Sequence, residues 1–246
     1  QDGNDPDPGA SDEEPLVPPA GPGDCSVRGE GLKIGTLFPE SGDIPFELMW
    51  GELWGGAVEI AVEEMNDSGG VNGFPVELVH GDDGQGHASS DLSGSFDVAL
   101  ESVDRLLCEE GVHAIIGPGH INVAFAVMGQ IVDFPAVQCS IAVTFSALGT
   151  VGDNGMYFNI RPHDLLTSEA LAHYLVEHEQ PAVSVLFRDG AAQDGVGHAF
   201  TSMYERLGGK TVSSAPLNSQ SLREFTESPS SVLVILGAGV EVADLS

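Results

Sequence analysis

His80, Asp82, Asp83 and His87 stand close together in the chain, and imidazole and carboxylate are the donors a metal ion wants. Their spacing matches neither a zinc pattern nor a calcium loop, so no metal is expected there. His173 and His178 are five apart on an expected helix and do not share a face as the paired histidines of a zinc protease do. Cys139 beside Ser140 has the elements of a nucleophile, but no base can be identified to activate it, and a strand-end cysteine reads as structural. Glu40 and Asp43 flank one loop, yet two carboxylates alone do not specify acid/base catalysis. The chain has no GxxxxGK[ST] phosphate loop, no GxSxG elbow and no GxGxxG after its first strand. These residues support no enzymatic reaction and no cofactor. His120 remains, a loop histidine able to hydrogen-bond a ligand or to make binding respond to pH.

The elements that would position such residues alternate between strand and helix. Leu32 to Phe38 is a short apolar run that stops at Pro39 and reads as a buried parallel strand. From Gly55 to Met65, Ala57, Ile60, Ala61 and Met65 recur three to four apart, with Glu59, Glu63 and Glu64 on the other side. That spacing predicts an amphipathic helix, ended by Gly69 and Gly70 before a second strand at Val76 to Val79. A right-handed strand–helix–strand unit puts the first loop at the strand's carboxyl end, where open α/β sheets bind ligands. Further along, a helix is expected at Val98 to Cys108 with Val98, Val103, Leu106 and Leu107 inward. A strand follows at His113 to Ile116, a helix at Val123 to Ile131 and a strand at Pro135 to Cys139. Tyr157 to Arg161 is extended. Asp164 is placed as the cap of a helix reaching Glu177 with Leu166, Ala170, Tyr174 and Leu175 inward. Ala182 to Phe187, Val212 onward and Val232 to Leu236 are strands, with a helix at Val196 to Leu207.

Composition narrows the partners. Thirty-eight acidic residues against two lysines and six arginines give a formal charge of −30, which opposes nucleic-acid binding through phosphate neutralisation. Such acidity keeps a protein hydrated and apart from its neighbours. Residues 1–24 carry seven acidic and no basic side chains with repeated Pro and Gly, and are expected to be disordered. No stretch has the length of a membrane span, and no positively charged signal segment is present.

The run LKIGTLFPESG, the helix GGAVEIAVEEMN, the turn GGVNGFPVELV and the ending HGDDG together resemble the type I periplasmic solute-binding proteins. Within them the receptors of branched-chain amino acid transporters are most similar, of the leucine-isoleucine-valine-binding kind. The likeness continues through VDRLL, GVHAIIGPG, QCSIAVT, GMYFNIRP and VSVLFRDG. It implies two doubly wound, Rossmann-like α/β lobes with parallel sheets: a tether over residues 1–30, a first lobe over 31–156, and a partial second lobe over 157–246 that starts at a crossing segment. Family chains are normally longer and return to the first lobe, so a missing carboxyl-terminal part is expected here. The resemblance also implies an extracytoplasmic place, periplasmic or on the cell surface, with a processed signal peptide and a lipoprotein-like leash. The implied partners are a small ligand and an ABC transporter permease, and the chain would be a monomer without cofactor or metal.

By the same resemblance the ligand loops follow strands one, three and four. They supply Ser41 and Gly42, then Gly119, His120, Ile121 and Asn122, then Ala142, Val143 and Thr144, with Ala192 from the second lobe. Such loops offer backbone donors and helix amino termini suited to a carboxylate. Relatives place a serine pair where this chain has His120 and Ile121, and an aromatic residue where it has Ala192. These exchanges point away from an ordinary amino-acid ligand. Met49 and Trp50, read as part of the first loop, are candidate replacement cover. Cys25 precedes the first strand and Cys108 ends a helix at the same edge of the sheet, so these two are expected to pair, leaving Cys139. A sensory ectodomain on the same scaffold and an α/β enzyme of shared architecture are the competing functions.

Overall fold

The apolar strand at the start of the recognisable sequence forms β1, Lys33–Thr36, and the helix after it is α1, Pro45–Asp67. In the computed structural model residues 31–84, 96–144, 153–178, 182–187, 191–226 and 232–236 are described. The remaining elements are β2 (Glu77–Val79), α2 (Asp97–Asp104) running into a π-turn (Arg105–Glu109), β3 (Ala114–Ile116), α3 (Ile121–Val132), β4 (Val137–Ser140) and β5 (Tyr157–Asn159). Then come α4 (Asp164–Glu177), β6 (Ala182–Phe187), α5 (Ala191–Arg206), β7 (Lys210–Pro216), α6 (Ser219–Thr226) and β8 (Val232–Leu236).

Two parallel sheets result, one of five strands in the order β2-β1-β3-β4-β5 and one of three in the order β7-β6-β8. Each pairing is parallel, as strands joined by crossover helices must be. This is the expected α/β class. Tyr157–Asn159, read from the sequence as a crossing into the second lobe, pairs with β4 as the outer strand of the first sheet.

The first sheet is covered on both faces. On one, α2, the π-turn and α3 bury Val103, Leu106, Leu107, Val123, Val127 and Ile131 against Leu37 and Ile115. On the other, Val58, Val62 and Met65 of α1 meet Ile34, Val76 and Ile116. Each fully buried aliphatic side chain contributes about 1.5–3 kcal/mol relative to exposure. Asn66 locks the end of α1 to the start of β2. Its Oδ1 accepts from the Val76 amide at 2.7 Å and its Nδ2 donates to the Val76 carbonyl at 3.0 Å. Gly69 and Gly70, at φ of 103° and 72°, end that helix as expected.

Around the second sheet, Phe200 and Tyr204 of α5 pack with Ala172 and Leu175 of α4 over Val183, Val185 and Val234. The strands Ala182–Phe187 and Val232–Leu236 fall where the sequence puts them. The expected inward face of α4 holds only at Leu175. Ser168, Ala172 and Leu175 are its buried residues, whereas Leu166 and Tyr174 are about half exposed and Ala170 is exposed. His163, not Asp164, is the cap, its Nδ1 accepting from the Leu166 amide at 3.2 Å. Val98 likewise lies outward, over Gly84, while Val103, Leu106 and Leu107 face in.

Candidate functional site

In the five-stranded sheet the chain leaves β1 toward β2 on one side and leaves β3 toward β4 on the other. The connections therefore diverge between β1 and β3, and in open parallel sheets a crevice forms at the carboxyl ends of the strands at such a switch point. The loop after β1 leads into α1 and the loop after β3 into α3, so two helix amino termini face this crevice. Neither cap residue, Ile44 for α1 or His120 for α3, uses its side chain to accept a first-turn amide. In α1 Pro45 has no N–H, the Glu47 amide bonds the Ile44 carbonyl and the Glu47 carboxylate sits in the first turn, so the positive end at this point is that of α3.

A polar pair and an aromatic ledge cross the gap. His120 Nε2 lies 2.9 Å from Glu47 Oε2, joining the first turn of α1 to the loop after β3. Phe46, Trp50 and Trp54 run along one edge of α1. Trp50 and Trp54 stack with centroids 5.5 Å apart, Phe46 meets Trp50 edge-on at 5.9 Å, and Trp54 also touches Phe38 at 5.7 Å and His120 at 6.3 Å. Gly119 makes this possible: a Cβ there would come within 2.3 Å of the Trp54 ring. Gly51 allows an equally close approach on the neighbouring side of the helix, where a Cβ would meet the Pro39 carbonyl oxygen at 1.9 Å.

Burial lowers the His120 pKa below its ordinary 6.5, and this outweighs the attraction of Glu47, which raises it. At neutral pH the ring is a neutral imidazole whose Nε2 hydrogen is donated to Glu47. Asp82, at the end of β2, pins the first loop. Its Oδ1 accepts from the amides of Glu40 (2.9 Å), Ser41 (3.2 Å) and Gly84 (2.8 Å). Burial pushes its carboxyl up, but the Ser41 side chain and these amides together hold it below the usual carboxylate value.

The residues expected at the site divide accordingly. Ser41 is on the rim, with its amide and hydroxyl engaged by Asp82; Gly42 follows at φ 121°. Gly119 lies against the Trp54 ring, His120 meets Glu47, and Asn122 is half-buried in the first turn of α3. Ile121 and Val143 instead pack with Ala124, Met128 and Tyr157 in a small apolar cluster, Val143 being 2% exposed. Ala142 is half-buried beside them. Thr144 donates to Asp164 Oδ2 at 3.1 Å and its carbonyl accepts from the Asp164 amide at 2.9 Å, so it ties the first sheet's edge to the start of α4. Ala192 falls in the first turn of α5.

Met49 and Trp50 are not in a loop. Both lie in α1, which begins ten residues before the expected Gly55, with Pro45 at its start. Glu47, Phe46 and Trp54 were not anticipated from the sequence, although Phe46, Trp50 and Trp54 are spaced by four, the signature of one helical face. Cys108 is disulfide-bonded, and its expected partner Cys25 lies outside the described residues, as does His87. Cys139 is a free thiol whose pKa burial pushes up, and Ser140 donates its hydroxyl to the Pro118 carbonyl at 3.4 Å. A protonated thiol beside an engaged hydroxyl is poor equipment for nucleophilic attack. Ring faces, a helix amino terminus and a His–Glu pair thus meet at this end of the sheet. Among the described residues no helix is long and apolar enough to cross a membrane.

Comparison with known proteins agrees with this architecture. The family model described as periplasmic binding protein matches residues 31–234. A curated relative, the chemotactic signal transduction system substrate-binding protein BasB of Halobacterium salinarum, is 26% identical over 194 residues, 76% of this chain and 44% of its own length. Among solved structures, an ABC transporter substrate-binding protein from Desulfitobacterium hafniense in complex with Leu is similar at a TM-score of 0.70 and 22% identity, covering 87% of this chain and 61% of that one. A solute-binding protein of an ABC transporter from Rhodopseudomonas palustris BisB5, in complex with 3,4-dihydroxybenzoic acid, gives 0.66 and 15%, covering 87% and 58%. The chain thus spans less than two thirds of the length of each of these proteins. At these identities the solved structures speak to the fold.

Proposed function

This chain belongs to the periplasmic binding protein family, a family of non-enzymatic binding proteins, and we propose that it is the extracytoplasmic receptor of an ABC transporter, capturing a small polar solute such as an amino acid or a related compound. The ligand sits between a first lobe, built on the five-stranded sheet, and a second built on the three-stranded sheet. The observation that supports this reading is the β1/β3 switch point, where the amino terminus of α3 and the Phe46, Trp50 and Trp54 ledge of α1 come together. Helix ends favour a carboxylate, and ring faces favour an apolar or aromatic body. The solved relatives hold solutes of both sorts, leucine in one and a dihydroxybenzoate in another.

Trp50 and Trp54 are the two tryptophans of the chain, so intrinsic fluorescence reports on this crevice directly. Titration with leucine, isoleucine, 4-hydroxybenzoate and 3,4-dihydroxybenzoate, paired with calorimetry, is expected to give a saturable emission change for at least one compound. That signal should fall in Trp54→Phe. Heat of binding without any tryptophan response would move the site elsewhere, and no heat with any amino acid or aromatic acid would remove solute capture. The likeness to a chemotactic substrate-binding protein favours a second reading, in which the closed form signals to a membrane transducer. A permease gene beside this one would support transport, and a transducer gene would support sensing.

A further inference from the structure

Helix α1 is apolar on two opposite sides. Gly51, Gly55 and Val62 are its buried residues, on the side turned to the sheet. On the far side Phe46, Met49, Leu53, Ala57 and Ile60 recur at steps of three and four, which places them in one stripe along the helix. Phe46 is 55% exposed, Met49 43%, Leu53 55% and Ile60 59%. A groove of about 890 Å³ runs along the flank of α1 between this stripe and the buried side, lined by Leu48, Met49, Leu53 and Ile60 and also by Pro39, Gly51 and Gly55. A helix with apolar stripes on both sides reads as one packed on both sides.

The rim of the groove is acidic. Glu40, Glu52 and Glu59 line it, and its one basic side chain among the described residues, His80, is held between Glu40 at 3.5 Å and Glu59 at 3.3 Å. A second copy would bring two carboxylate rims together on chains that each carry −30, and an anionic membrane would be repelled for the same reason. Charge complementarity calls for cations flanking an apolar seam. We propose that the outward face of α1 is a docking groove for a basic amphipathic helix of a partner protein, whose apolar residues cover Met49, Leu53 and Ile60 while lysines or arginines meet Glu52 and Glu59. The stripe lies on the opposite side of α1 from the buried residues and meets the aromatic ledge at Phe46; Trp50 and Trp54 do not line the groove, so docking is assigned to Met49, Leu53 and Ile60 and not to the tryptophans.

The probe is a short fluorescein-labelled helix of leucine and lysine with amphipathic spacing, followed by anisotropy against the intact chain. Saturable binding is expected, weakening with salt. Leu53→Ser with Ile60→Ser should weaken it about tenfold or more, since each tenfold is only about 1.4 kcal/mol and two apolar contacts are removed. Both residues point to solvent, so circular dichroism and the tryptophan emission should stay unchanged. Glu52→Gln with Glu59→Gln should also weaken binding, whereas Glu205→Gln with Glu224→Gln on the second sheet's helices should not. Equal affinity for a scrambled peptide of the same composition, or indifference to the Leu53/Ile60 pair, would overturn the proposal. So would light scattering that shows a dimer abolished by that pair, because the occupant would then be a second copy.

Discussion

At the scale of single residues, His120 and Asp82 set how the crevice responds to acid. The folded His120 titrates below 6.5, so the unfolded chain takes up its proton first as pH falls. Stability from this group is complete above about pH 6.5 and declines until the folded value is passed. Because Trp54 lies beside the ring, its emission should titrate with a midpoint below that of a free histidine and lose that transition in His120→Asn. A midpoint above it would mean that Glu47 dominates over burial. Asp82 has the opposite chemistry and the same sign. Its folded pKa is depressed, so its contribution is full above about pH 4 and is lost as pH falls through the folded value. Asp82→Asn should flatten the acid limb of a melting curve taken against pH. Asp82→Ala, which strands the amides of Glu40, Ser41 and Gly84, should cost about 1–3 kcal/mol in urea unfolding.

Elements decide which of these residues meet. Trp54 can lie on the loop after β3 because that loop has no Cβ at position 119, so Gly119→Ala should overpack the contact, cost about 1–3 kcal/mol and shift the tryptophan emission. An unchanged spectrum would place Trp54 away from the loop. On the second sheet, Phe200→Ala empties a fully buried ring position between α5 and β6 and should cost about 3–5 kcal/mol by denaturant melt. Strand β6 is legible in the sequence because five of its six residues are buried and apolar alternation plays no part in a strand covered on both faces. Helix α1 is legible only from Gly55. Its first half carries apolar side chains on two sides and three glycines, so no single 3.6-residue stripe stands out and its aromatic residues read as loop cover. Helix α4 shows the converse. Its sequence contains two plausible apolar stripes, and the neighbour α5 takes the one through Ala172 and Leu175, leaving Leu166 and Tyr174 outside. The short polar helix α6 has no apolar run to announce it.

For the whole molecule, charge dominates. With a formal −30 the folded chain repels itself, and added monovalent salt should raise its melting temperature through screening, with most of the gain below about 1 M, where the Debye length falls to about 3 Å. A melting temperature indifferent to salt would mean that the carboxylates are already compensated locally. By itself the sequence determined the order of strands and helices, the parallel α/β class and the family, because hydrophobic period and glycine turns are local signals carried by neighbouring residues. It also determined the loops that follow β1 and β3. Only the tertiary structure decided which atoms of those loops face one another. Glu47 and His120 are far apart in the chain and meet because β1 and β3 are adjacent in the sheet, while Ile121 and Val143 turn into a core cluster and Thr144 is taken by Asp164. A ligand crevice is a property of strand adjacency and helix rotation, and neither is written in the spacing of any one segment.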